Sequence, residues 1–100
     1  MKSIIKKILK KVFSAIVKEK EEINEWRLNH NNSDPPILFN DFTGFYDIDL
    51  DKLLTKKEKE VFVFLEKMEF VAISKFKGKM NTKITDKGLL YLGVEELWNQ

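Results

Sequence analysis

A chain of 100 residues has room for one modest core and little for a second fold. Its 43% hydrophobic and 34% charged content is that of a folded globular chain, and the absence of cysteine excludes disulfides and thiolate chemistry. The net charge of +2 conceals a segregation: residues 1–20 carry seven lysines against Glu19, residues 21–51 carry eight acids against Arg27, and residues 52–100 carry ten lysines against seven acids. Basic ends around an acidic middle suit a protein with one surface that meets a polyanion and another that does not.

Residues 3–28 read as one long helix. Ile4, Ile5, Ile8, Leu9, Val12, Phe13 and Ile16 recur at helical spacing along one side, with lysines on the other, and Ile23 and Trp26 extend the apolar side. Such a helix can pack into the core or a dimer interface, lie on an anionic membrane, or touch nucleic acid. The acidic stretch from Glu19 to Glu25 argues against deep membrane engagement. Lys6, Lys7, Lys10 and Lys11 interrupt any apolar run, so neither a signal peptide nor a span is expected, and the expected location is cytoplasmic. His30-Asn31-Asn32-Ser33-Asp34 and the following Pro35-Pro36 stop the helix.

Residues 37–47 mix Ile37, Leu38, Phe39, Phe42, Phe45 and Tyr46 with turn formers, and a short strand is expected at 45–48. A short helix over 49–54 follows, capped by Asp47 or Asp49. Thr55-Lys56-Lys57-Glu58 is a capping box that opens a helix over 56–69, whose inner face is expected to carry Val61, Phe64, Leu65 and Met68. Residues 70–76 and 81–85 then form a hairpin around Lys77-Gly78-Lys79. Thr85-Asp86 starts a final helix carrying Leu89, Leu90, Leu92, Leu97 and Trp98, with Gly93 as a bend.

The segment from Thr55 to Leu92 resembles winged-helix regulators. A capped helix leaves through Glu69-Phe70-Val71-Ala72-Ile73 into a basic hairpin, and Ile84-Thr85-Asp86-Lys87-Gly88 leads into Leu89-Leu90-Tyr91-Leu92. Tyr46 to Leu54 is similar to the short strand and second helix of that fold. The resemblance implies a single α+β domain over residues 1–100, with a long N-terminal helix, a short helix, a capped recognition helix, a β-hairpin wing and a C-terminal helix.

Function reads as non-enzymatic. His30 is the only histidine, no glycine-rich phosphate loop occurs, and no carboxylate pair is placed by spacing, so no catalytic residue, metal or cofactor is assigned. Asp47, Asp49, Asp51 and Glu58 have calcium-loop spacing, but Lys52 stands where the loop needs glycine. The leading expectation is duplex DNA held at its phosphates. Lys75, Lys77 and Lys79 would alternate along one strand with Phe76 facing inward, Lys83 and Lys87 on the return, and Lys56, Lys57 and Lys59 on the capped helix. That helix has no Arg, Asn or Gln, the usual base readers. The alternative is a protein-interaction module of phage or mobile-element type that binds a host protein through Phe42, Phe45 and Tyr46. Abundant Lys, Ile, Asn and Phe with a single Arg point to an AT-rich coding source. A homodimer through the N-terminal or C-terminal helix is compatible with both.

Overall fold

The structure is a computed structural model that describes residues 2–93. It is an α+β fold with α1 (Lys2–Asn29), α2 (Leu50–Leu53), α3 (Lys56–Lys67), β1 (Val71–Phe76), β2 (Lys79–Ile84) and α4 (Asp86–Leu92). Leu97 and Trp98 lie outside the described residues.

The apolar stripe of α1 is the spine of the core. Ile5, Ile8, Leu9, Val12 and Ile16 are buried, three of them completely, against Leu50, Leu54, Leu65 and Ile84. Trp26 departs from the expected apolar side: it is 55% exposed and stacks on His30, with ring centroids 4.2 Å apart. Among the described residues no helix is long and apolar enough to cross a membrane.

Past Asn31, whose φ of 51° turns the chain, residues 35–41 run back along α1. Three polar side chains on successive turns hold this return. Arg27 donates to the Pro35 carbonyl at 3.1 Å, and Asn24 both donates to and accepts from the Ile37 backbone, at 3.0 and 2.8 Å. Lys20, only 3% exposed, spreads its three protons over the carbonyls of Leu38, Phe39 and Asp41 at 2.8–3.1 Å, with its ammonium 3.9 Å from the Phe42 ring centroid. Burial lowers the Lys20 pKa, opposed by the nearby Asp41 charge. A buried ammonium is stable only when so fully partnered.

The strand expected at 45–48 contracts to one antiparallel bridge, in which Tyr46 and Thr82 exchange N–H···O bonds of 2.8 Å. Asp49, not Asp47, caps α2, accepting from the Lys52 amide. Leu54 and Thr55 then join α2 to α3 in extended conformation. The capping box is present: the Glu58 amide donates to Thr55 Oγ1 at 3.2 Å, and the Thr55 amide to Glu58 Oε1 at 2.9 Å. The same carboxylate receives Lys11 of α1 through both oxygens, at 2.8 and 3.0 Å, so a local start signal is also a clamp between helices.

Glu58 lies on the side of α3 that faces the core. Glu58, Phe62 and Leu65 face inward, whereas Phe64 and Met68, expected inside, are 53% and 40% exposed. Residues 61–65 are apolar on every side, so periodicity alone left the inner face open. The helix ends two residues earlier than expected, at a Glu69 with φ of 65° and a bond from the Phe70 amide back to the Leu65 carbonyl.

Lys77 and Gly78, with φ of 50° and 76°, form the two-residue turn between β1 and β2. The register runs from Val71↔Ile84 through Ile73↔Thr82 to Phe76↔Lys79. Thr85 caps α4 through the Gly88 amide and donates to the Glu69 carbonyl. Gly88 lies so close to β1 that a Cβ there would stand 2.1 Å from the Phe70 carbonyl oxygen. Gly93 stands in the left-handed region as the C-cap of α4, and the continuation expected beyond it lies outside the described residues.

Candidate nucleic-acid interface

The eight lysines singled out from sequence do not form one uninterrupted face. On α3, Lys56 and Lys57 are exposed and have no side-chain partner among the described residues, while Lys59 pairs with Asp51 at 2.9 Å. On the hairpin, Lys75 is exposed and has no side-chain partner among the described residues, and Lys77 lies 5.5 Å from the Phe76 ring centroid. Lys79 stands 3.9 Å from Asp47. Lys83 lies 5.5 Å from the Phe45 ring centroid, and Lys87 donates to the Met68 carbonyl at 2.9 Å. The acids of residues 47–51 therefore engage one lysine of each group.

The expected alternation of Lys75, Lys77 and Lys79 is not realised, because the turn falls at Lys77-Gly78 and places Lys79 on β2. Directly paired residues share a side of an antiparallel ladder. Lys75 therefore shares a side with Ile73, Thr82 and Met80, and Lys79 shares the other with Phe76 and Lys83. Phe76 does not face inward; it is 64% exposed, because the hairpin end extends beyond the core. What the tip concentrates is charge: Lys75, Lys77 and Lys79 lie within one turn of one another, all exposed.

The aromatic patch expected for a protein partner is divided. Phe42 and Tyr46 are each 7% exposed and belong to the core, which raises the Tyr46 pKa chiefly by burial. Only Phe45 of the three faces solvent. Sequence reasoning missed a different apolar surface, Val63, Phe64 and Met68 on the outer side of α3, and Leu38 and Phe39 on the return loop, all at least 40% exposed. The signal for the α3 surface was the unbroken apolar run at 61–65.

The acidic residues have identified structural roles rather than a shared site. Asp49 caps α2, Asp51 and Asp47 face lysines, and Glu58 belongs to the capping box and the Lys11 clamp. The Lys11 hydrogen bonds and the Thr55 amide hold the Glu58 carboxyl at about 2. Asp41 is also lowered, first by hydrogen bonds from the Thr43 hydroxyl and amide. Glu19 is raised by burial, then by Glu22 and Asp47. No protein-family model, curated protein or solved structure matches this chain.

Proposed function

We propose that this chain is a non-enzymatic, winged-helix-type protein that binds duplex DNA at its phosphates, without reading base sequence through α3. The observation that carries the reading is the cluster of Lys75, Lys77 and Lys79 at the tip of a hairpin whose base is built into the core. Element order supports it: α1, the Tyr46 bridge to β2, α2, α3 and the hairpin follow one another as in a winged helix. Lys56 and Lys57 at the start of α3 supply a second contact. Lysine gives a point charge rather than a bidentate fork, so affinity is electrostatic and tolerant of sequence. Duplex binding measured at low ionic strength tests the proposal. Lys75→Glu with Lys77→Glu should severely weaken or abolish binding with the fold retained, and a wild-type protein without DNA affinity under those conditions would refute it.

A second reading is favoured by one specific observation. The outer side of α3, where a recognition helix would read a groove, carries Val63, Phe64 and Met68. Apolar side chains there suit a protein partner better than base edges. On this reading the chain is a protein-interaction module, such as a phage or mobile-element product acting on a host protein. A partner recovered by the wild type and lost with Phe64→Ser would favour it.

A further inference from the structure

The solvent side of α1 is charged in blocks. Ser3, Lys7, Lys10, Ser14, Lys18, Glu21 and Glu25 recur every three or four residues opposite the buried stripe, and all are exposed. The lysines come first and the glutamates last. Among the described residues, Lys7, Lys10, Glu21, Glu22 and Glu25 enter no ion pair with one another or with any other residue.

Within one chain this order is unfavourable twice. Like charges meet at helical spacing, Lys7 with Lys10 and Glu21 or Glu22 with Glu25, which weakens a helix. The charges also run against the helix macrodipole, which favours acids at the N-terminal end and bases at the C-terminal end. A 28-residue helix bears this arrangement along about 42 Å.

From this pattern we infer that α1 pairs with α1 of a second copy, antiparallel, across this charged side. A two-fold axis near the middle of the helix sets Lys7 against Glu25, Lys10 against Glu22, and Ser14 against Lys18. Lys7, Lys10, Glu22 and Glu25 then face opposite charges in both halves of the interface, as an isologous contact requires, with Lys18 set against the neutral Ser14. The parallel alternative sets lysines on lysines. Ser14, near the axis, has a small side chain that lets the helices approach. An open groove of about 640 Å³ between α1 and residues 47–53 has the charged stripe as one wall, where Lys10, Ser14, Lys18 and Glu22 stand beside Ala15, Ile48 and Leu53. It offers the partner helix apolar contact next to the ionic seam. The pairing does not depend on whether the hairpin tip meets DNA.

Sedimentation equilibrium of the full chain at low and high ionic strength tests the pairing, with helical circular dichroism confirming that every variant is folded. The wild type should dimerise at low ionic strength and dissociate as salt rises. Lys7→Glu with Lys10→Glu should shift the monomer–dimer midpoint to more than about tenfold higher concentration, and Glu22→Lys with Glu25→Lys should do the same. Combining all four substitutions restores opposite charges in the antiparallel pairing and should restore the dimer. A wild type that stays monomeric at low ionic strength overturns the inference. So does a dimer indifferent to the reversals, or a fourfold variant that remains monomeric.

Discussion

The two ends of the hairpin follow opposite rules. At its base packing dominates: Val71 and Ile84 are buried, the Thr82 backbone bridges Tyr46 while its buried hydroxyl has no partner among the described residues, and Gly88 brings α4 against the Phe70 carbonyl. At its tip, residues 75–80 are all exposed, two successive residues have positive φ, and three lysines fall within five residues of chain. Packing specifies the base, and charge is concentrated where packing imposes nothing. Substitutions at the base and in the core it joins should therefore register as stability, and those at the tip as binding.

Gly88→Ala is the severest test of the base. No rotamer moves a Cβ away from a backbone oxygen, so α4 must shift, and a loss of about 3 kcal/mol or more is expected in urea unfolding. A change below about 0.5 kcal/mol would mean that the close approach does not exist. Lys20→Met should follow, at about 2 kcal/mol, because it leaves three carbonyls of the return loop without their donor. Amide exchange over residues 37–42 should accelerate in that variant before exchange in the hairpin base changes.

Glu58 adds a pH signature to the core side of the comparison. Its carboxyl titrates at about 2 in the folded protein, against an ordinary value of 4.5. The folded state thus holds the ionised form more strongly than the unfolded chain does. The stabilisation is complete above about 4.5 and is lost as pH falls toward 2. Glu58→Gln should lower stability at neutral pH and flatten that acid limb in thermal melts recorded across the window. An unchanged acid limb would remove the Lys11–Glu58 clamp from the account. The smallest stability effect belongs to the tip: Lys75→Glu with Lys77→Glu should leave the unfolding midpoint within about 0.5 kcal/mol of wild type.

Local signals were legible in the sequence. The capping box at Thr55–Glu58 and the N-cap at Thr85 announce helix starts because the groups involved lie within one turn, and the α1 stripe is long enough to reveal its own period. Three features were not legible, each because the deciding partner is distant in the chain. Lys20 looks like part of a solvated basic flank until residues 38–41 return to it. Residues 61–65 offer several apolar faces, and the side that turns inward is decided by contacts distant in the chain, among them Lys11, 47 residues away from Glu58. The hairpin lysines were identified as a group, yet placing the turn at Lys77-Gly78 instead of Lys77–Lys79 decides which side each occupies. Burial likewise removed Phe42 and Tyr46 from a surface patch that composition alone suggested.

The measurement that bears most directly on the central claim is duplex DNA affinity as a function of salt, for the wild type and for Lys75→Glu with Lys77→Glu. With Lys79 facing Asp47 at 3.9 Å, four lysines remain for phosphate, Lys56, Lys57, Lys75 and Lys77, and they predict a slope of log affinity on log salt of roughly −3 to −4. The tip variant should fall to about −2 or lose measurable affinity, with its unfolding midpoint unmoved. No wild-type binding at low salt, or a slope that the tip substitutions leave unchanged, would contradict the claim that the hairpin tip is where this protein meets DNA.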